Sequence, residues 1–168
     1  MTQQNSFDVN DLRHAMSQFA TGVVVVTGVE RSTLVGFSAQ SFVSLSLSPP
    51  LVLFCPQKTS TSWPRIRSVG HYGINILGAE HNVLSDAFAE IGSVPDVEWH
   101  ASTNSGAPIL ENTIAFLDCS LRTEHDAGDH TIVVSNVNDF RVCRERDQPL
   151  VYMRGKYGTF LERPKDEE

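Results

Sequence analysis

Residues 22–29 and 33–40, GVVVVTGV and TLVGFSAQ, are two apolar runs separated by the polar turn Glu30-Arg31-Ser32. β-Branched side chains dominate the first run, and they suit a pleated, buried surface better than a helix. Together the runs predict a β-hairpin, which commits the chain to antiparallel pairing from its start. Residues 37–48 then alternate apolar and polar, as a half-buried strand does. Phe37, Ala39, Val43, Leu45 and Leu47 are predicted on one face; Ser38, Gln40, Ser44, Ser46 and Ser48 fall on the other. Ser41 and Phe42 break the pattern. Beyond Pro49-Pro50, residues 51–55 (LVLFC) read as a short strand buried on both faces.

One cation and four hydroxyls follow, Lys58-Thr59-Ser60-Thr61-Ser62. Ser62 is placed to cap a helix with Pro64 in its first turn. A helix start offers unpaired N–H groups and the positive end of a dipole, so an anion such as phosphate can bind there. A polar strand beside a hydroxyl-rich anion cradle suits a flat heterocycle carrying a phosphate tail. The plainer alternative is a solvated serine face next to an ordinary capped helix.

The remaining elements are few and short. Leu12, Ala15, Met16 and Phe19 recur at helical spacing over residues 8–20, with Asp8 or Asn10 as cap. Residues 63–69 make a short helix and 71–77 (HYGINIL) a strand. Val83, Leu84, Ala87, Phe88 and Ile91 put one apolar face on a further helix. Residues 92–108 read as a long loop with a short turn near Trp99. Ala115, Leu117, Cys119 and Leu121 then alternate with Asp118, Ser120 and Arg122. A turn at Asp126-Ala127-Gly128 leads to strands at 130–137, 140–143 and 150–153. Many strands, hairpin turns and two or three helices predict an antiparallel barrel with helices at its ends.

The 168 residues read as one domain, 1–168, with residues 1–7 and 162–168 expected to fray. A net charge of −7 argues against nucleic acid or anionic membrane as partner. No apolar run approaches the ~20 residues of a membrane span, and the opening residues do not resemble a signal peptide. Cys55, Cys119 and Cys143 are far apart, as expected of reduced thiols in a cytoplasmic protein. The six histidines show no metal-ligand spacing, so no metal site is expected. GxGxxG and GxxxxGK[ST] are absent, so a nucleotide would have to bind by other means.

Four segments in this order resemble the short flavin reductases, the reductase partners of two-component flavin-dependent monooxygenases. They are FATGVVVVTG, GFSAQSFVSLSLSPPLVLFC, the run from Ser60 to Leu77, and AGDHTIVVSNV, with PLVYMRGKYG closing the match. The resemblance covers nearly the whole chain, from about Leu12 to Tyr157. It implies a mainly β, antiparallel split β-barrel of Greek-key type that binds FMN, with a few flanking helices. It also implies a homodimer with flavin near the subunit interface. Such proteins reduce FMN or FAD with NADH or NADPH and release the product to an oxygenase component. Carried over by motif, Ser38, Ala39, Gln40 and Ser41 lie along the isoalloxazine. Cys55, Lys58, Thr59, Ser60, Ser62 and Trp63 hold the ribityl chain and phosphate. His130 faces the nicotinamide, and Arg154 and Tyr157 close over the nicotinamide nucleotide. No acid or base is required, because hydride transfer is the cofactors' own chemistry.

From the residues alone, His130 reads first as a turn histidine bonded to Asp129, and Lys58 as a solvated lysine. The resemblance favours FMN over FAD and an oxygenase that hydroxylates a phenolic or related aromatic compound. NADH is favoured over NADPH because no obvious arginine cluster offers itself to a 2′-phosphate, although Arg141, Arg144 and Arg146 are close in sequence. Two alternatives remain at this point: a flavin-binding or sensor protein without turnover, and an oxidase of a phosphorylated pyridoxine-type substrate.

Overall fold

Asp8 starts the first helix, α1 (Val9–Met16), by accepting the Asn10 N–H on Oδ1 at 2.6 Å. The computed structural model describes residues 7–90, 92 and 95–162; most of both predicted tails, and Ile91, lie outside the described residues. After α1 come β1 (Thr21–Gly22), β2 (Val24–Glu30) and β3 (Thr33–Ala39), then β4 (Val43–Leu47) and β5 (Pro50–Phe54). Next are α2 (Ser62–Val69), β6 (His71–Ile76), a 3-10 turn (Ala79–His81) and α3 (Asn82–Ala89). The second half is β7 (Trp99–Ala101), β8 (Pro108–Leu110), β9 (Ala115–Ala127), β10 (His130–Val142), β11 (Val151–Met153) and β12 (Lys156–Gly158).

The predicted first hairpin is β2–β3, in register from Val24–Ala39 to Glu30–Thr33. Arg31 and Ser32 at its tip both have positive φ, 50° and 68°, the backbone that a tight two-residue hairpin turn requires. Seven strands form one antiparallel sheet in the order β3-β2-β6-β9-β10-β5-β4. Its two edge strands, β3 and β4, are consecutive in the chain and joined by residues 40–42 alone. A link from Ala39 to Val43 reaches about 14 Å at full extension. The sheet therefore has to curl until its edges nearly meet, a barrel left split between β3 and β4.

That corner corrects one expectation. Residues 37–48 are not a single strand, and the predicted inward face of the second half points outward. Val43, Leu45 and Leu47 are 48%, 45% and 89% exposed. The alternation persists through the corner, but the surface it faces changes there. In contrast, the uninterrupted valines 23–26 are all at most 2% exposed, because this segment is covered on both faces. Val24 and Val26 join Phe54, Trp63, Tyr72, Ile74 and Val133 in one core; Val23 and Val25 join Leu34, Leu77, Phe88 and Leu150 in the other.

Two glycines let helices approach the hairpin. A Cβ on Gly28 would come within 3.2 Å of Ile66 on α2, and one on Gly36 within 2.6 Å of the Phe88 ring on α3. The predicted loop at 92–108 contains β7, paired with β8, and none of its described residues borders the cleft discussed below. It is pinned to the barrel by buried polar groups. Asp118 accepts from Ser102 Oγ at 2.5 Å and Ser105 Oγ at 2.8 Å, and Asn75 accepts the Leu110 N–H at 2.9 Å. β10 is one strand from His130 to Val142 rather than the two predicted, with irregularities near Val134 and Val137.

Candidate active site: a hydroxyl-lined cleft

At the corner after β3 the sheet edge stops, and the backbone groups of residues 40–42 find no backbone partner among the described residues. Gln40 and Ser41 border an open cleft of about 820 Å³, while Phe42 packs against the core. Unpaired N–H and C=O groups are costly unless water or a ligand meets them, so this edge is suited to hydrogen-bond a bound molecule. Ser41 braces the corner: its Oγ accepts the Cys55 N–H at 2.9 Å, tying the link to the end of β5.

The chain beyond β5 forms the next wall. Gln57 bridges to His130, the Lys58 N–H donates to the Asp129 carbonyl at 2.9 Å, and the Thr131 N–H donates to the Pro56 carbonyl at 3.0 Å. These bonds hold residues 56–58 against the start of β10. Thr59, Ser60, Thr61 and Ser62 then line the cleft as α2 begins. Ser62 is the first helical residue rather than the predicted cap. Thr61 stands at the cap without a side-chain bond, and Ser60 Oγ accepts the Trp63 N–H at 3.2 Å instead.

α3 and the C-terminal hairpin complete the enclosure. Ser38 Oγ donates to the Ser85 carbonyl at 2.7 Å. Tyr157 Oη donates to Asp86 Oδ1 at 2.6 Å and lies 3.1 Å from Ser85 Oγ. Burial, and then the hydrogen bond to Asp86, push the Tyr157 phenol above its ordinary value, so it stays a protonated donor at neutral pH. His130 enters from the far side, just after Gly128 at φ +66°. Its Nδ1 is 2.7 Å from Asp129 Oδ1, and that hydrogen bond holds the Asp129 carboxyl below its usual range. The ring is thereby oriented, and Nε2 has no hydrogen-bond partner among the described residues.

Among the residues predicted to bind, Ser38, Ala39, Gln40, Ser41, Cys55, Thr59, Ser60, Ser62, His130 and Tyr157 all border this cleft. Lys58, Trp63 and Arg154 do not. Lys58 pairs with Asp126. Trp63 is 6% exposed and lies beneath the hydroxyl run, edge-on to Phe54 at 5.2 Å, with its indole N–H on Glu124 Oε1 at 2.8 Å. Arg154 donates its backbone N–H to the Ser17 carbonyl at 3.0 Å and its Nε to Gln18 Oε1 at 2.6 Å. Thr61, part of the predicted hydroxyl run, also borders the cleft, whereas Gln57, Asp86, Glu90 and Tyr152 were not expected there. One signal was present: Ser85 is a polar residue three positions before Phe88, on the buried stripe of α3. Among the described residues, the Asp and Glu side chains that border the cleft, Asp86 and Glu90, meet no Lys or Arg on its border.

A family model described as "Flavin reductase like domain" matches residues 16–161. The chain belongs to the flavin reductase-like family. Within that family it is 41% identical over 154 residues to the flavin-dependent monooxygenase reductase subunit HsaB of Rhodococcus jostii, covering 90% of this chain and 78% of that protein. The FMN reductase (NADH) SmoA of Agrobacterium fabrum is 38% identical over 149 residues, covering 88% of this chain and 84% of that one. Among solved structures, the Streptomyces globisporus NADH:FAD oxidoreductase SgcE6, in complex with NAD and FAD fragments, superposes with a TM-score of 0.84. It is 31% identical and the match covers 98% of this chain and 100% of that one. The predicted family and the mainly antiparallel β architecture with few helices agree with these likenesses.

Proposed function

We propose that this chain is an NAD(P)H-dependent flavin reductase that reduces FMN, and also FAD, with NADH and passes the reduced flavin to the oxygenase component of a two-component monooxygenase. The observation that carries the reading is the cleft itself. It joins an unpaired backbone edge at Gln40 and Ser41 to a hydroxyl run at the start of α2. A flat ring with polar edges matches the first, and a phosphate matches the second. Family membership and the names of the relatives support the same activity.

In this reading Ser38, Ala39, Gln40 and Ser41 border the flavin ring. Cys55, Thr59, Ser60 and Ser62 line the ribityl chain and phosphate, over Trp63 as a buried support, with Lys58 adding charge from the rim. His130 positions the nicotinamide. Tyr157 closes the cleft from the C-terminal hairpin, which Arg154 ties to the end of α1. The hydride donor and acceptor are both brought in as ligands, so the chain's task is to hold two rings in contact and exclude water. NADH consumption by the purified protein, with and without FMN or FAD, tests this directly. Oxidation that depends on added flavin is expected; inertness of NADH and NADPH with either flavin overturns it.

The partner oxygenase is proposed to act on a phenolic or related aromatic compound. The working form is proposed to be a cytoplasmic homodimer. No helix among the described residues is long and apolar enough to cross a membrane. Support for the dimer comes from α1, which buries none of its residues, and from the exposed apolar side chains on β4.

A further inference from the structure

Beside the cleft, sharing Gln57 and Ser60 with it, opens a second pocket of about 210 Å³, and the flavin reading above gives no role to its Arg67. Its remaining border is Lys58, Trp63, Pro64, Arg67, Glu124 and Thr131. We propose that this pocket receives the distal phosphate of a flavin dinucleotide, and so is the feature that admits FAD alongside FMN. The proposal rests on the flavin reductase reading and adds a binding site to it.

The two spaces differ in the charges on their borders. Among the described residues the main cleft has the carboxylates Asp86 and Glu90, whereas the side pocket has Lys58, which pairs with Asp126, Arg67, and one carboxylate. That carboxylate, Glu124, is already committed. Its Oε1 accepts the buried Trp63 indole N–H at 2.8 Å, and its Oε2 lies 3.1 Å from Arg67 Nε. Glu124 thus grips the guanidinium by its Nε side, leaving Nη1 and Nη2 without a hydrogen-bond partner among the described residues. The Arg67 side chain is 57% exposed, so these donors are open to a ligand. A guanidinium held in place with a free N–H edge is suited to paired phosphate oxygens.

The connection between the spaces fits a two-phosphate tail. Ser60 borders both, and its hydroxyl serves the Trp63 N–H only as an acceptor, which leaves its own proton for a ligand. A first phosphate on the hydroxyl run therefore leads across Ser60 to Arg67 and Lys58. The volume lies below the ~300 Å³ at which pockets enclose whole small molecules, so it suits one anionic group and leaves the adenosine outside.

Equilibrium titration of FMN and FAD against the wild type, Arg67→Gln and Arg67→Lys tests this, alongside a melting curve for each. Arg67→Gln is expected to weaken FAD about tenfold and FMN less than twofold, with Arg67→Lys intermediate. Lys58→Gln, whose charge also reaches the first phosphate from the rim, should weaken both flavins but FAD the more, and that difference carries the test if the Arg67 variants melt early. Equal loss of both flavins, no loss of either, or a wild type that binds FMN but rejects FAD overturns the proposal while leaving the reductase reading standing. A selective loss of NADPH over NADH turnover with FMN as acceptor also overturns it, by assigning the pocket to a ribose phosphate. A wild type that binds neither flavin removes both readings together.

Discussion

His130 has two interpretations in its sequence context, a turn histidine and a residue facing the nicotinamide, and the first does not preclude the second. It is a turn histidine bonded to Asp129, and that bond is what orients its ring at the cleft wall. If it positions the nicotinamide, His130→Ala should raise the KM for NADH about tenfold and change the flavin Kd less than twofold, a loss of roughly 1.4 kcal/mol from one partner only. Steady-state kinetics beside a flavin titration would decide it; equal loss of both moves His130 to the flavin. His81 makes a different prediction, about stability. Its Nδ1 accepts the Gly78 N–H at 3.0 Å, which requires the neutral ring. Burial is the main cause that holds its pKa below the ordinary 6.5, with Glu80 opposing and Arg144 assisting. The unfolded chain takes up this proton first on acidification, so the stabilisation is complete above the unfolded value and declines as pH falls through the folded one. Urea midpoints should therefore fall between pH 7.5 and 5.5, and His81→Gln should flatten the fall. Glu80, whose pKa is also lowered, acts with the same sign but below that window.

Single elements were legible in proportion to how much periodicity they contain. The β2–β3 hairpin could be read because both strands and the turn point to one answer. β4 could not be placed, because alternation reports that a strand has two faces and not which face is covered. The pairing of β7 with β8 was invisible, since three-residue strands carry no period. In the site, segments contiguous in sequence were found and α3 was missed, because its polar residues reach the cleft only through packing. Packing also makes Gly73, on β6, a sensitive position. A Cβ there would press on the Pro108 carbonyl and come within 2.8 Å of both the Phe116 ring and Thr27 Oγ1. Gly73→Ala should cost about 3 kcal/mol in urea unfolding. Gly22→Ala, with nothing within 4 Å of the added methyl, is the control and should change stability by less than ~0.5 kcal/mol.

For the molecule as a whole, the exposed apolar surface is what a lone copy leaves unexplained. Phe19, Leu47 and Phe140 are exposed, and β4 is an edge strand with an apolar outer face. Sedimentation should give the mass of two copies, and Leu47→Glu should shift the equilibrium toward one, since burying a leucine contributes about 2 kcal/mol per copy. A wild type that sediments as a single copy removes the homodimer. The cleft, for its part, is assembled from across the whole chain, and its final wall is Tyr152 and Tyr157 on β11 and β12. During synthesis the serine and threonine cradle leaves the ribosome long before that last hairpin does. A nascent or prematurely terminated product lacking residues 151–158 would carry most of the cleft's border yet leave that wall open, so full flavin affinity is expected only once this hairpin has emerged and folded.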